Sequence, residues 1–137
     1  MTGPLRVFFQ NSKGWIYEYI CDQGWKGGKL TIEAPHQTPL AAVSWKSPRG
    51  YQMRLDYRSF SNDVAEVMFA DGEWKAGIGR IAPCMINSQL AVTMVPNGAS
   101  KSSRIYSQQD MRQLQEHSWL AAGGWAVGNV IPTGTTQ

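Results

Sequence analysis

Two cysteines are all that the 137 residues contain, and Cys21 and Cys84 have no metal-ligand spacing. A thiolate zinc site and a disulfide framework are therefore not indicated, and both thiols read as buried small residues in a reducing compartment. The two histidines, His36 and His117, also lack partners at ligand spacing and read as solvated side chains. No apolar run approaches the ~20 residues of a membrane span. The start, MTGPLRVFFQ, lacks the basic segment and apolar stretch of a secretory signal. These absences predict a protein that is cytoplasmic or released without a signal peptide, and not inserted in a membrane. Charge is scarce as well. Only 17% of residues are charged, the net charge is +3, and the basic residues are scattered among acids, so the footprint of a nucleic-acid binder is weak. There is no nucleophile elbow, phosphate loop or zinc motif, and no cofactor is implied.

What the chain does have is strand and turn. The apolar fraction of 42% is that of a globular protein, and the length fits one domain. Leu5 to Gln10 is rich in β-branched and aromatic residues, and Asn11-Ser12-Lys13-Gly14 is a hairpin signal. Trp15 to Cys21 returns, with Trp15, Tyr17, Tyr19 and Cys21 on one face and Ile16, Glu18 and Ile20 on the other. Trp25 to Leu30 makes a short outer strand. Leu40 to Trp45 is a small, apolar run suited to a fully buried strand. The order then repeats at 53–57, 64–69, 74–79 and 90–95, and again at 103–108, 114–119 and 125–130. The segment QQDMRQLQEH has helix-forming composition, but Leu114 and Glu116 stand in register with Ile16 and Glu18, so it too reads as strand.

The register is carried by an Arg, a Glu twelve positions later, then a Trp with a Gly three residues beyond it. Arg6, Glu18, Trp25 and Gly28 form the first set. Arg54, Glu66, Trp74 and Gly77 form the second, and Arg104, Glu116, Trp125 and Gly128 the third. Arg54 follows Arg6 by 48 residues and Arg104 follows Arg54 by 50, a period typical of propellers and solenoids. Four short antiparallel strands per period make a propeller blade. The predicted fold is all-β: a single half-propeller domain of three four-stranded blades, with units at 1–38, 39–88 and 89–137 and the inner strand of the first missing.

A core needs only apolar periodicity and has no reason to keep Arg and Glu in register three times. A repeated binding site does. Arg is an always-charged fork of donors and an ionised Glu only accepts, so together they hold hydroxyls that both give and take. An aromatic face covers an apolar patch of the same ligand. The bland alternatives are surface ion pairs across neighbouring strands and Trp residues that pack blades. Trp15 and Trp45 lack counterparts and read as local packing. Two rivals come from other classes. A propeller glycoside hydrolase needs two carboxylates about one bond, whereas each unit here offers one Glu with one Arg, a pairing expected to lower the carboxylate pKa. A protein-interaction propeller fragment leaves the repeated Arg and Glu unexplained.

The phrases LRVFFQNSKGWIYEYICDQGWKGG, TPLAAVSWKSPRGYQMRLDY and GGWAVGNVIPTGT resemble the fungal fucose-specific lectins of the Aleuria aurantia type across essentially the whole chain. The resemblance is to the C-terminal three blades of a six-bladed ring. It implies L-fucose and fucosylated glycans as ligands, no catalysis, and pockets between adjacent blades. Carried over by position, Arg6 and Glu18 face Phe69 and Trp74, with Tyr51 as a further wall. Arg54 and Glu66 face Trp119 and Trp125. Arg104 and Glu116 need a following blade, which a second copy could supply through Trp25 in a homodimer closing a ring of six. Cys21 stands where that third site calls for its other aromatic. The pocket of Arg54 and Glu66 is expected to be the best, with Trp at both aromatic positions.

Overall fold

Hairpin chemistry sets the order of strands. The computed structural model describes residues 3–97, 100–110, 113–121 and 123–132. The tail of the third unit beyond Pro132 lies outside them. The first sheet consists of β1 (Leu5–Gln10), β2 (Trp15–Cys21) and β3 (Trp25–Glu33), paired in that order. The second holds β4 (Leu40–Ser47), β5 (Gly50–Arg58), β6 (Asp63–Ala70) and β7 (Glu73–Ala76), with the short β8 (Ala82–Pro83) also on β6. The third holds β9 (Leu90–Asn97), β10 (Ser100–Asp110), β11 (Gln113–Leu120) and β12 (Gly124–Pro132). All pairings are antiparallel.

The turns explain why the strands meet in this register. Asn11 Oδ1 accepts from the backbone N–H of Lys13 and of Trp15, each at 2.9 Å, which closes the β1–β2 hairpin. Between β6 and β7, Asp71 and Gly72 both adopt positive φ, 54° and 83°. That is the twist-matched two-residue hairpin turn.

The predicted architecture holds: three sheets, the first without an inner strand. Residues 108–110 and 113–117 of the helix-forming segment lie in β10 and β11, while 111 and 112 are outside the described residues. Two expectations change. The run at 40–45 is not fully buried: Ala42 and Ser44 are exposed, and burial alternates along β4. Ala42 and Ser44 share the face of Leu55 and Met53, which looks toward the first sheet, and that sheet has no inner strand to cover them. Full burial sits instead in the middle strands, where Met53, Arg54, Leu55 and Asp56 are buried in succession. The outer strand expected at 74–79 also stops at Ala76, because the chain bulges at Gly77 before returning to β6.

Two packed layers join the sheets. Ile16, Leu30, Ala34 and Leu55, with Phe8, Tyr57, Val67 and Trp74 against them, join the first sheet to the second. Val64, Cys84 and Ile105, with Leu90, Val92 and Trp125, join the second to the third. The functional residues line the edges of these two layers.

Candidate functional site: pockets between sheets

Register places the charged pair. Arg6 lies opposite Ile20 and Phe8 opposite Glu18, so Arg6 and Glu18 are diagonal neighbours on one face of the hairpin. The same geometry holds for Arg54 with Glu66 and for Arg104 with Glu116. Arg6 Nη1 bonds Glu18 Oε1, Arg54 Nη1 lies 3.1 Å from Glu66 Oε2, and Arg104 Nη1 lies 3.3 Å from Glu116 Oε2.

The glycine three residues after each Trp has a steric cause. Each Glu sits where the ladder to the outer strand is interrupted, between Tyr17 and Tyr19 in the first sheet and between Gln115 and His117 in the third. In the second, Glu66 bonds Gly77 and Ile78 through its backbone on either side of a bulge. Bulges re-aim a side chain next to functional sites. A Cβ on Gly28 would meet Glu18 Cδ at 2.6 Å, and one on Gly128 would meet Glu116 Oε1 at 2.5 Å. On Gly77 it would meet the Glu66 carbonyl oxygen at 2.6 Å. The carboxylate therefore lies over the glycine in two sheets, and the Glu backbone does so in the other.

Aromatic walls come from the next sheet. Phe69 and Trp74 are register partners, as are Trp119 and Trp125. The Arg6 guanidinium lies 4.5 Å from the centre of the Phe69 ring, and that of Arg54 lies 4.5 Å from Trp119. Trp74 Nε1 donates to Glu18 Oε2 at 3.0 Å, so this Trp both packs on the core layer and fixes the carboxylate. A pocket of 120 Å³ opens among Arg6, Glu18, Phe69 and Trp74, with Ile20 and Lys29 at its side. Tyr51 lies in the adjoining 320 Å³ pocket, which shares Arg6 and Phe69.

Electrostatics differ among the three pairs. Glu18 and Glu66 have side chains only 1% exposed, whereas Arg104 is 40% exposed. Burial raises the pKa of Glu66 despite the opposing Arg54, so the lowering expected from an Arg partner is overturned there by desolvation. Glu116 is lowered, first by the Tyr106 hydroxyl, which donates to it at 2.8 Å.

The structure brings together Arg6, Glu18, Phe69 and Trp74, and likewise Arg54, Glu66 and Trp119. Trp125 packs in the layer beside them. It does not complete the third set. Trp25 belongs to the first sheet, is 55% exposed and has the second sheet between it and Arg104. Trp45 packs locally, its ring centre 5.7 Å from the guanidinium of Arg54 on the adjacent strand. Two sequence readings need correction. His117 is not solvated but 4% exposed, because it points into the layer between the second and third sheets beside Ile105. Cys21 ends an outer hairpin and is only half-buried, unlike Cys84. Lys29 and Ile20 were missed, although strand alternation from Glu18 marks Ile20 as sharing its face.

Curated proteins and solved structures are similar to this chain in sequence and fold. A fucose-specific lectin of Aspergillus oryzae is 30% identical over 93% of this chain and 42% of its own. The crystal structure of Aleuria aurantia lectin, described as a six-bladed β-propeller with a novel fucose recognition mode, aligns with a TM-score of 0.80 at 30% identity, over 92% of this chain and 44% of that one. The chain is a relative of the fungal fucose-specific lectins. It spans 42% to 44% of the length of the curated lectins it matches. A fucose lectin from Kordia zhangzhouensis, solved with methyl-fucoside, shares the fold with a TM-score of 0.73 at 21% identity, and there the match covers 91% of this chain and 89% of that one. No protein-family model matches.

Proposed function

We propose that the chain binds L-fucose and fucosylated glycans in the pockets between adjacent sheets, without catalysis. One observation carries the reading: an Arg–Glu pair on one sheet faces an aromatic wall on the next, and does so twice. Fucose offers hydroxyls on one side and a patch of C–H bonds with a methyl on the other. The guanidinium donates to hydroxyl oxygens, the carboxylate accepts from hydroxyl protons, and each such charged bond contributes roughly 1.5 to 3 kcal/mol. Phe69 or Trp119 covers the apolar side. For about eleven heavy atoms at roughly −0.5 kcal/mol each, a single pocket binds in about the tenth-millimolar range. Useful strength then requires several pockets acting on one glycan-coated surface.

The test is binding to a fucosylated glycan array with displacement by free fucose and no added metal. A folded sample that ignores the array, or releases it on addition of EDTA, overturns the reading. Turnover of fucose conjugates would favour the hydrolase instead.

Assembly and ranking belong to the same proposal. Among the described residues no sheet covers the Arg104–Glu116 pair, and Trp25 stands exposed on the opposite flank. Two copies joined so that Trp25 of one meets Arg104 of the other make six sheets around a two-fold axis. A solution mass of two chains in sugar-binding protein supports this, and a monomeric mass contradicts it. The pocket of Arg54 and Glu66 is the tightest, having the more enclosed Arg and Trp at both positions. Calorimetry on Arg54→Ala should lose the tighter class of sites. If Arg6→Ala loses it instead, the ranking is wrong.

A further inference from the structure

The two layers between sheets are built from equivalent positions but differ in chemistry. In the layer between the first and second sheets, those positions hold Phe8, Met53, Tyr57 and Val67. In the layer between the second and third, they hold Asp56, Ser103, Ser107 and His117. Asp56, Ser103 and Ser107 are 0% exposed and His117 4%. Both Asp56 carboxyl oxygens, the two serine hydroxyls, His117 Nδ1, Trp125 Nε1 and Arg54 Nε have no hydrogen-bond partner among the described residues. The contrast with the other layer is direct, since there Trp74 Nε1 donates to Glu18 and Phe8 packs edge-on against Trp74 at 5.7 Å. The third equivalent of Phe8 is Tyr106, whose hydroxyl donates to Glu116. Only the second pocket has a carboxyl group at this position, and its register partner is Glu66 itself.

Two carboxyl groups side by side behind one guanidinium cannot both stay ionised cheaply. Glu66 has Arg54 as its bonded cation, whereas Asp56 has no such bond. We propose that Asp56 carries a proton in the folded protein, and that this proton makes sugar binding in the second pocket dependent on pH while the first pocket, with Phe8, escapes that dependence. The inference rests on the sugar-binding reading given above. The charged and titratable groups of this layer around Asp56 are Arg54 and Arg58 on the same face of β5, Glu66 on β6, His117 on β11 and the buried Cys84 thiol, whose pKa burial raises. On β4 its neighbour is Ala41, while β9 and β12 bring Leu90, Val92 and Trp125 to the layer. Burial and the neighbouring Glu66 both raise the Asp56 pKa well above its ordinary value, against Arg54. Burial lowers the pKa of His117.

The direction of the effect follows. As pH rises, Asp56 loses its proton to solvent and becomes a second anion beside Glu66. Arg54 is then divided between two carboxylates, and its donors turn from the sugar. Affinity in the second pocket falls on the alkaline side of the Asp56 transition. At low pH it falls for a different reason, when Glu66 is protonated and ceases to be a pure acceptor. Asp56 is a positioning residue here, acting through Arg54 and Glu66.

Carbon-13 NMR of the Asp56 carboxyl in the wild-type chain, with and without methyl-fucoside, reads the proton directly. It should remain protonated well above the ordinary carboxylate range, and its midpoint should move upward when sugar is bound, as reciprocal linkage requires. In an Arg6→Ala, Arg104→Ala background, calorimetry with methyl-fucoside should show affinity falling roughly five- to tenfold across that midpoint. Adding Asp56→Asn should remove the alkaline fall and keep the acidic one. An Asp56 that titrates near the ordinary value of about 3.9 overturns the proposal, as does an alkaline fall that persists in Asp56→Asn. A protonated Asp56 with flat binding across its transition overturns the coupling alone. Loss of all fucoside binding in the wild-type chain defeats the sugar reading, and the pH claim with it, while the carboxyl spectrum still reports the proton.

Discussion

Single side chains in this protein act through the register that holds them. Removing the Arg54 guanidinium strips donors from the ligand and leaves Glu66 buried without its cation. Arg54→Ala should therefore weaken fucose binding at that pocket by about 2 to 3 kcal/mol, measured by calorimetry below the Asp56 transition. The glycines separate two effects. A methyl on Gly28 strikes the end of the Glu18 side chain, whereas one on Gly77 strikes the Glu66 backbone. Gly28→Ala should lower affinity in the first pocket with little change in melting temperature, and Gly77→Ala should lower the melting temperature. Equal losses of stability in both would show that the carboxylate does not yield as argued. Asp56 links the site to stability. Its folded pKa is raised above the unfolded value, so its favourable contribution is complete below about pH 3.9 and is lost as pH rises through the folded value. Asp56→Asn should melt a few degrees higher than wild type near neutral pH, the gap closing toward pH 4. A constant gap across that range would contradict the assignment.

Strands and their connections divide what was legible from what was not. One short side chain fastens each passage from an outer strand to the next inner one. Thr38 Oγ1 donates to the Arg58 carbonyl at 2.9 Å and accepts from its N–H at 3.0 Å, and Ser88 Oγ accepts from Gln108 N–H at 2.9 Å. Ser88 is 2% exposed, so Ser88→Ala leaves a buried donor unpaired and should cost about 1 to 3 kcal/mol in denaturant unfolding. An unchanged midpoint would remove this connection from the list of stabilising contacts. The hairpins could be read from sequence because Asn11 to Gly14 and Asp71-Gly72 are local signals, while the shared face of each Arg and Glu depends on turn register, which in the third hairpin is set by a bulge between Gln108 and Asp110. The walls of Phe69 and Trp119 required the family resemblance, since nothing in a strand says which sheet it will face. The burial of β4 was misjudged because a small apolar run reads the same whether or not the next sheet has a strand to cover it. His117 and Asp56 were passed over for a related reason. Each departs from an apolar or aromatic residue at the equivalent place in another unit, and a search for what repeats overlooks what fails to repeat.

At the scale of the molecule, stability is a chain of neighbour terms, since each sheet packs only on the next. The two terms are unequal. The first layer is filled by Phe8, Met53, Tyr57 and Val67 around Leu55, while the second holds fewer apolar groups and several buried polar atoms without partners. Unpartnered polar atoms cost free energy on burial. The molecule therefore has a seam. Under mild destabilisation it should not melt as one body: β9 to β12 part from the rest first, while β1 to β7 persist as a smaller folded unit. Native-state hydrogen exchange would show this as a lower opening energy for the amides of β10 and β11 than for those of β2 and β5, and equal protection would refute it. The order has a meaning for binding. The pocket of Arg54 and Glu66 straddles the seam, so a sugar held there clamps the two parts together, and ligand should slow exchange throughout the third sheet, far beyond the residues it touches.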